Sequence, residues 1–205
     1  MHVYVPKGGG KGMPVVILLH GSWDTASDWI DIGRAPQILD QLIETGQAKP
    51  MILVTVDGHP LPSLAVSTRP QNLALLEAEI TEKVIPLVER TYGASPHRRD
   101  RAIVGLSMGG MQALSIGLKH ADLFDAVGAF SAPGGLPAFA LPGPSLLWLS
   151  CGRKDPFHAG AREVHTTLNQ QNVRHQWIET DGAHTWIEWR DHLRRFLPLL
   201  FRNRS

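Results

Sequence analysis

Five residues in the middle of the chain, Gly105-Leu106-Ser107-Met108-Gly109, match the pattern G-x-S-x-G. A serine hydroxyl is a weak nucleophile at neutral pH and attacks a carbonyl carbon only when a base takes its proton. The base needs a partner that fixes its tautomer and steadies its charge. Alone the pattern is weak, because small residues fall into it by chance. Its surroundings add weight: the β-rich run Arg101–Leu106 ends just before Ser107, and the helical segment Met108–Lys119 follows it. A sharp strand-to-helix turn lifts the hydroxyl above the strand ends and requires glycine where side chains would meet neighbouring backbone. A plain glycine-rich turn is the competing explanation.

In such a site the chain order is serine, acid, histidine. The histidines after Ser107 are His120, His158, His165, His175, His184 and His192. His184 lies in Asp181-Gly182-Ala183-His184-Thr185-Trp186, a turn between the last expected strand and the last expected helix. From there its ring can swing toward Ser107. His165 and His192 fall inside helical patterns, where a surface position is expected, and His175 begins a strand. Asp155, in Gly152-Arg153-Lys154-Asp155, stands in the loop after the run 146–150. Its carboxylate is placed to accept the imidazole proton, fix the tautomer and stabilise the imidazolium. Asp181 competes, but so close to His184 it suits the turn itself.

A tetrahedral intermediate carries negative charge on the former carbonyl oxygen, and fixed N–H groups stabilise it. The Met108 N–H, next after the nucleophile, is one expected donor. The second is the Ser22 N–H in Leu19-His20-Gly21-Ser22-Trp23, with the Trp23 N–H as the alternative. Gly21 allows the turn, and His20 reads as a buried support for it. Trp23 and Trp186 flank the expected donor and base. They suit stacking on an aromatic acyl group or a sugar face, and suit core packing equally. His59 and Pro60 follow a strand at the same end of the sheet, where ligands bind in parallel α/β folds.

These residues need a scaffold. The β-rich runs are Val15–Leu19, 51–56, Arg101–Leu106, Ala126–Phe130, 146–150 and 175–179, with a further edge strand at 2–5. Most are continuous apolar stretches, as in parallel strands covered on both faces. Helical patterns fill the gaps at 38–44, 73–90, Met108–Lys119, 162–169 and 187–197, with Pro86 expected to kink or divide the second. The alternation predicts one α/β domain over residues 1–205 with right-handed crossovers.

The 205 residues are 43% hydrophobic and 19% charged, with a formal net charge of +1, a globular composition with no pull toward nucleic acid or a charged membrane. Arg190, Arg194 and Arg195 read as the solvated side of a helix. The single cysteine, Cys151, excludes an intrachain disulfide and reads as a small buried residue ending a strand. No apolar run approaches the length of a membrane span. No signal peptide is visible, which leaves a cytoplasmic protein, or a secreted one if a leader has been removed. No paired histidines at helical spacing with a nearby carboxylate suggest zinc.

Together the segments Leu18-Leu19-His20-Gly21, Gly105-Leu106-Ser107-Met108-Gly109-Gly110, Cys151-Gly152-Arg153-Lys154-Asp155 and Gly182-Ala183-His184-Thr185-Trp186 resemble carbohydrate esterase family 1. Trp189-Arg190 and the tail from Phe196 to Phe201 extend the likeness. That group holds feruloyl and acetyl xylan esterases, and the mycolyltransferases are similar to it. The resemblance implies an α/β-hydrolase fold with a mostly parallel sheet. It also implies hydrolysis of carboxylic esters on plant cell-wall sugars, the triad Ser107, Asp155 and His184, and no metal or organic cofactor. The chain starts late for the group, so its first edge is expected to be exposed and able to pair with a second copy. The stretches 58–71 and 131–145 look short for the group, which points to an open, shallow site. Acyl transfer to a sugar hydroxyl is the alternative chemistry for the same residues. A non-catalytic binding module is the alternative from another class.

Overall fold

In the computed structural model residues 1–61, 69–140 and 143–202 are described. Val15–Leu19 forms strand β2, and all five residues are buried. Successive side chains of a strand point to opposite faces, so an unbroken apolar run means that both faces are covered. Val15, Ile17 and Leu19 enter one hydrophobic cluster, and Val16 and Leu18 enter a second on the other side.

The other strands are β1 (His2–Tyr4), β3 (Ile52–Val56), β4 (Arg101–Leu106), β5 (Ala126–Phe130), β6 (Leu146–Gly152) and β7 (Gln176–Thr180). Their order is β1-β3-β2-β4-β5-β6-β7. Among the described strands only β1 runs antiparallel, against β3, and it is an edge strand as expected. One face of the sheet is covered by α2 (Ala35–Glu44) through Ile38, Leu39 and Leu42, and by α7 (Trp186–Phe196) through Trp189, Leu193 and Phe196. The short α1 (Asp28–Asp31) adds Trp29 to the same face. The opposite face carries α3 (Arg69–Glu79), α4 (Ile85–Tyr92), α5 (Met108–Lys119) and α6 (His158–Gln170).

Pro86 divides the helical stretch 73–90, one of the two outcomes expected of it: it occupies the first turn of α4, and the preceding residues Ile80–Val84 widen into a π-helical turn. A proline lacks the N–H for the regular bond and crowds the carbonyl four residues back, and a wider turn relieves both. One expectation needs correction: His192 is not on the surface but fully buried, its ring 5.5 Å from that of Phe130. Of the three arginines, Arg194 and Arg195 are exposed and Arg190 is half-buried.

The parallel register levels the carboxyl ends of the strands. Leu19 pairs with Gly105, Leu106 with Phe130, Phe130 with Ser150 and Gly152 with Thr180. The segments holding His20, Ser107, Ser131, Asp155 and His184 therefore leave the sheet at one end. From β2 the chain crosses to β3, and from β4 it crosses to β5 in the opposite direction. That reversal opens a crevice between β2 and β4.

Candidate active site

Ser107 bridges β4 and α5 with φ 53° and ψ −120°. A non-glycine residue rarely adopts this backbone, and holding it there costs about 1–3 kcal/mol. The turn is fixed from both sides: the Ser107 N–H donates to the Phe130 carbonyl at 2.8 Å, and the Ser107 carbonyl accepts the Met111 N–H at 3.2 Å. A side chain on Gly105 would collide with the Gly109 carbonyl, and a Cβ on Gly109 would stand 2.5 Å from the carbonyl oxygens of Leu19 and His20. Both glycines let α5 begin directly against the ends of β2 and β4.

The structure brings Ser107, His184 and Asp155 together. His184 Nε2 lies 3.0 Å from Ser107 Oγ, and His184 Nδ1 lies 2.9 Å from Asp155 Oδ2. A carboxylate only accepts, so Nδ1 carries the proton and Nε2 is left to receive the serine hydroxyl. Asp155 Oδ1 takes the Phe157 N–H at 2.8 Å, which fixes the carboxylate and leaves Oδ2 for the histidine. The two loops are stitched together by Arg153 N–H to Thr180 O at 2.8 Å and Lys154 N–H to Gly182 O at 2.9 Å. Asp181 points away: its side chain is 84% exposed and pairs with Arg153 at 2.6 Å.

The imidazole of His184 is gripped by two rings. Phe157 meets it edge-on at 4.9 Å and Trp189 at 4.8 Å. Burial alone would raise the Asp155 pKa, but hydrogen bonds from His184 and the Phe157 N–H outweigh it. They hold the carboxyl below its ordinary range and keep it ionised. The neighbouring Cys151 thiol is pushed up to about 12, by burial first and then by Asp155, so it stays neutral. A neutral buried thiol is not a competing nucleophile.

The turn after β2 is built around His20, which is fully buried. Its Nε2 accepts the Gly58 N–H at 2.9 Å, so the ring proton sits on Nδ1 and is donated to the Gly21 carbonyl at 2.7 Å. That carbonyl also accepts the Asp24 N–H at 3.2 Å. In a trans peptide the C=O and N–H point in opposite directions. With the Gly21 carbonyl held by two donors, the Ser22 N–H of the same peptide is turned away from them. A Cβ on Gly21 would lie 3.5 Å from Ser107 Cβ, which puts this peptide beside the serine. The Met108 N–H, in the first turn of α5, has no intrahelical acceptor.

The remaining expected contacts separate. Trp23 is 87% exposed and so does not pack in the core. Trp186 is packed edge-on against Trp29 at 5.2 Å and Trp189 at 5.4 Å. His59 donates from Nε2 to the Ser22 carbonyl at 2.8 Å, buttressing the turn. Much of the stretch 58–71 lies outside the described residues. A cavity of about 510 Å³ lined by Arg99, Ala126, Leu146 and Phe201 opens at the starts of β5 and β6, the far end of the sheet from Ser107. It is no part of this site. Sequence reasoning missed Phe157 and Ser131 as site residues and met Trp189 only within the family likeness. Phe157 stands two residues after Asp155, and that closeness was the one available signal.

This sheet order, a strained serine on a strand-to-helix turn and a histidine and aspartate bonded to it in series define an α/β hydrolase. The chain belongs to the esterase family whose model, described as "Putative esterase", matches residues 1–181. An endo-1,4-beta-xylanase/feruloyl esterase of Xylanibacter ruminicola is 26% identical over 211 residues, covering 98% of this chain and 29% of that protein. An uncharacterised protein of Corynebacterium glutamicum is 25% identical over 85% of this chain and 38% of its own length. The chain thus spans about a third of the length of these curated relatives. A CE1 ferulic acid esterase from the anaerobic fungus Anaeromyces mucronatus superposes with TM-score 0.90 at 26% identity, over 97% of this chain and 83% of that one. An S-formylglutathione hydrolase from Staphylococcus aureus, 16% identical, shares the fold with TM-score 0.73 over 98% of this chain and 91% of that one.

Proposed function

We propose that the chain is a serine carboxylic-ester hydrolase working through an acyl-enzyme on feruloyl or acetyl esters of plant cell-wall polysaccharide. The observation that carries the reading is the series of bonds from Ser107 Oγ to His184 at 3.0 Å and from His184 to Asp155 at 2.9 Å. Ser107 Oγ attacks the ester carbonyl as its proton passes to His184 Nε2. The charge that develops on the carbonyl oxygen is met by the N–H groups of Ser22 and Met108, each worth roughly 3 kcal/mol. His184 then gives its proton to the departing alcohol oxygen, leaving an acyl group on Ser107. Water, deprotonated by the same histidine, releases the acid and restores the serine. Each step is proton transfer or addition and elimination at carbon, which these side chains and amides can carry.

The relatives named for feruloyl esterase activity support a cell-wall ester. The exposed Trp23, next to the Ser22 donor, suits a flat acyl group or a sugar face. Residues 1–205 act in this reading as one domain, and the open edge of β1 is where a second copy would pair. Light scattering at high concentration tests that pairing, and a monomer contradicts it. The substrate class is tested by rates on methyl ferulate, 4-nitrophenyl acetate and acetylated xylan. Faster cleavage of methyl ferulate or acetylated xylan than of unrelated alkyl esters supports it. Activity confined to unrelated esters contradicts it.

A further inference from the structure

Gln112 stands on α5 four residues after Met108, so the two side chains rise from the same face of the helix. It is buried. A buried amide is stable only where its polar atoms find partners. Gln112 Nε2 donates to the Gly58 carbonyl at 2.9 Å. Its Oε1 is buried with no partner among the described residues. The bond to Gly58 is thus the contact through which this amide acts.

Gly58 passes the contact on. Its N–H donates to His20 Nε2 at 2.9 Å, and His20 Nδ1 donates to the Gly21 carbonyl at 2.7 Å. His59, next in the chain, donates from Nε2 to the Ser22 carbonyl at 2.8 Å. Asp57 braces this strap by accepting the His59 N–H at 2.9 Å. The strap 57–59 therefore holds the peptides on both sides of Ser22. A Cβ on Gly58 would stand 2.9 Å from Gln112 Oε1 and 3.1 Å from Met108 Cε, so the strap presses directly on α5. Further along, the Leu61 N–H is tied separately to Asn72 Oδ1 on α3 at 2.8 Å.

We infer that Gln112 is a positioning residue: by holding Gly58 it fixes the turn that carries the Ser22 N–H relative to the Met108 N–H. The inference rests on the serine-hydrolase reading. Both proposed donors are then referred to one helix, Met108 by its place in the first turn and Ser22 through Gly58 and His20. Two donors serve an oxyanion only while their spacing matches it, and that charge develops only toward the transition state. Loss of the Gly58 tie therefore lowers turnover without weakening ground-state binding of the ester.

The test compares wild type, Gln112→Met, Gln112→Ala, His20→Leu and the double variant of Gln112→Met with His20→Leu. Three quantities are measured: kcat and KM on 4-nitrophenyl acetate, the rate at which a fluorophosphonate labels Ser107, and the melting temperature. Methionine keeps the unbranched shape of glutamine and cannot donate. Gln112→Met gives up one hydrogen bond, so it stays folded with a melting temperature lowered by a few degrees at most. The expected result is kcat and the labelling rate lowered about tenfold, with KM within about twofold. Because one line of contacts carries the effect, the double variant is slower than His20→Leu by no more than about twofold. Wild-type kcat in both Gln112 variants overturns the inference. So does a rise in KM alone, a lowered melting temperature with unchanged kcat, or losses that multiply in the double variant. Should the double variant not fold, kcat and KM of Gln112→Met decide alone. If wild type is labelled at Ser107 yet cleaves no ester, the substrate reading fails and the labelling rates still decide for Gln112. If wild type is not labelled at Ser107, both fail.

Discussion

His20 Nδ1 donates at 2.7 Å to the carbonyl of Gly21, the other half of the peptide that carries the Ser22 N–H. A buried histidine thereby sets the direction of an amide that the proposed mechanism aims at the reacting oxygen. Replacing it, as in His20→Leu, frees that peptide and also leaves the Gly58 N–H without its acceptor. The expected outcome is a fall in kcat of about 10- to 100-fold with a smaller change in KM, since the oxyanion exists only in the transition state. Steady-state kinetics on an activated ester measures it. An unchanged kcat contradicts the assignment of this turn.

The two aspartates near His184 make a paired prediction. Asp155→Asn swaps an acceptor for an amide and allows the wrong imidazole tautomer, so kcat falls by about 10⁴. Asp181→Asn removes only an exposed ion pair with Arg153 and leaves kcat within about twofold. The reverse order of effects in kinetic assays assigns the acid to Asp181 instead.

Trp23 offers a large apolar face to solvent, next in the chain to the proposed donor Ser22. Trp23→Ala removes no core contact, so the melting temperature stays within about a degree. If the indole stacks on the acyl group, KM for methyl ferulate rises about 2- to 10-fold, the worth of one aromatic contact. KM for 4-nitrophenyl acetate hydrolysis is the control for the smaller acyl group. Equal KM for methyl ferulate in both proteins removes Trp23 from the acyl site.

His192 gives stability a dependence on pH that the chemistry does not require. Burial pushes its pKa below the ordinary histidine value, against the opposing pull of Glu188 and Asp191. The unfolded chain therefore binds this proton first as the pH falls. Its share of stability is complete above about pH 6.5 and is lost as the pH drops through the lower folded-state value. Asp155, also depressed, acts in a separate window below about pH 4. Melting temperatures from about pH 8 to pH 5 fall for wild type and fall less steeply for His192→Gln. Parallel curves contradict the assignment.

Much of this was legible in the sequence, for local reasons. The unbroken apolar run Val15–Leu19 could be satisfied only by a strand covered on both faces, and so it is. The serine elbow announced itself by glycines around a serine between a strand and a helix. His192 was misread because its polarity outweighed its spacing. It stands three residues from Trp189 and four from Phe196, on the buried face of α7. Ser131 carried no local signal, since its bond to Trp189 joins residues 58 apart in sequence. Trp23 and Trp186 looked alike as sequence, and only the packing around Trp29 separates them.

The central claim is that Ser107 carries the acyl group between the two half-reactions. Rapid-quench mass spectrometry of wild type mixed with 4-nitrophenyl acetate tests it directly, with Ser107→Ala alongside. The account predicts a transient adduct of one acetyl group on the peptide containing Ser107, formed in step with the burst of nitrophenol and missing from the variant. Turnover without that adduct, or an adduct and full turnover in Ser107→Ala, contradicts it.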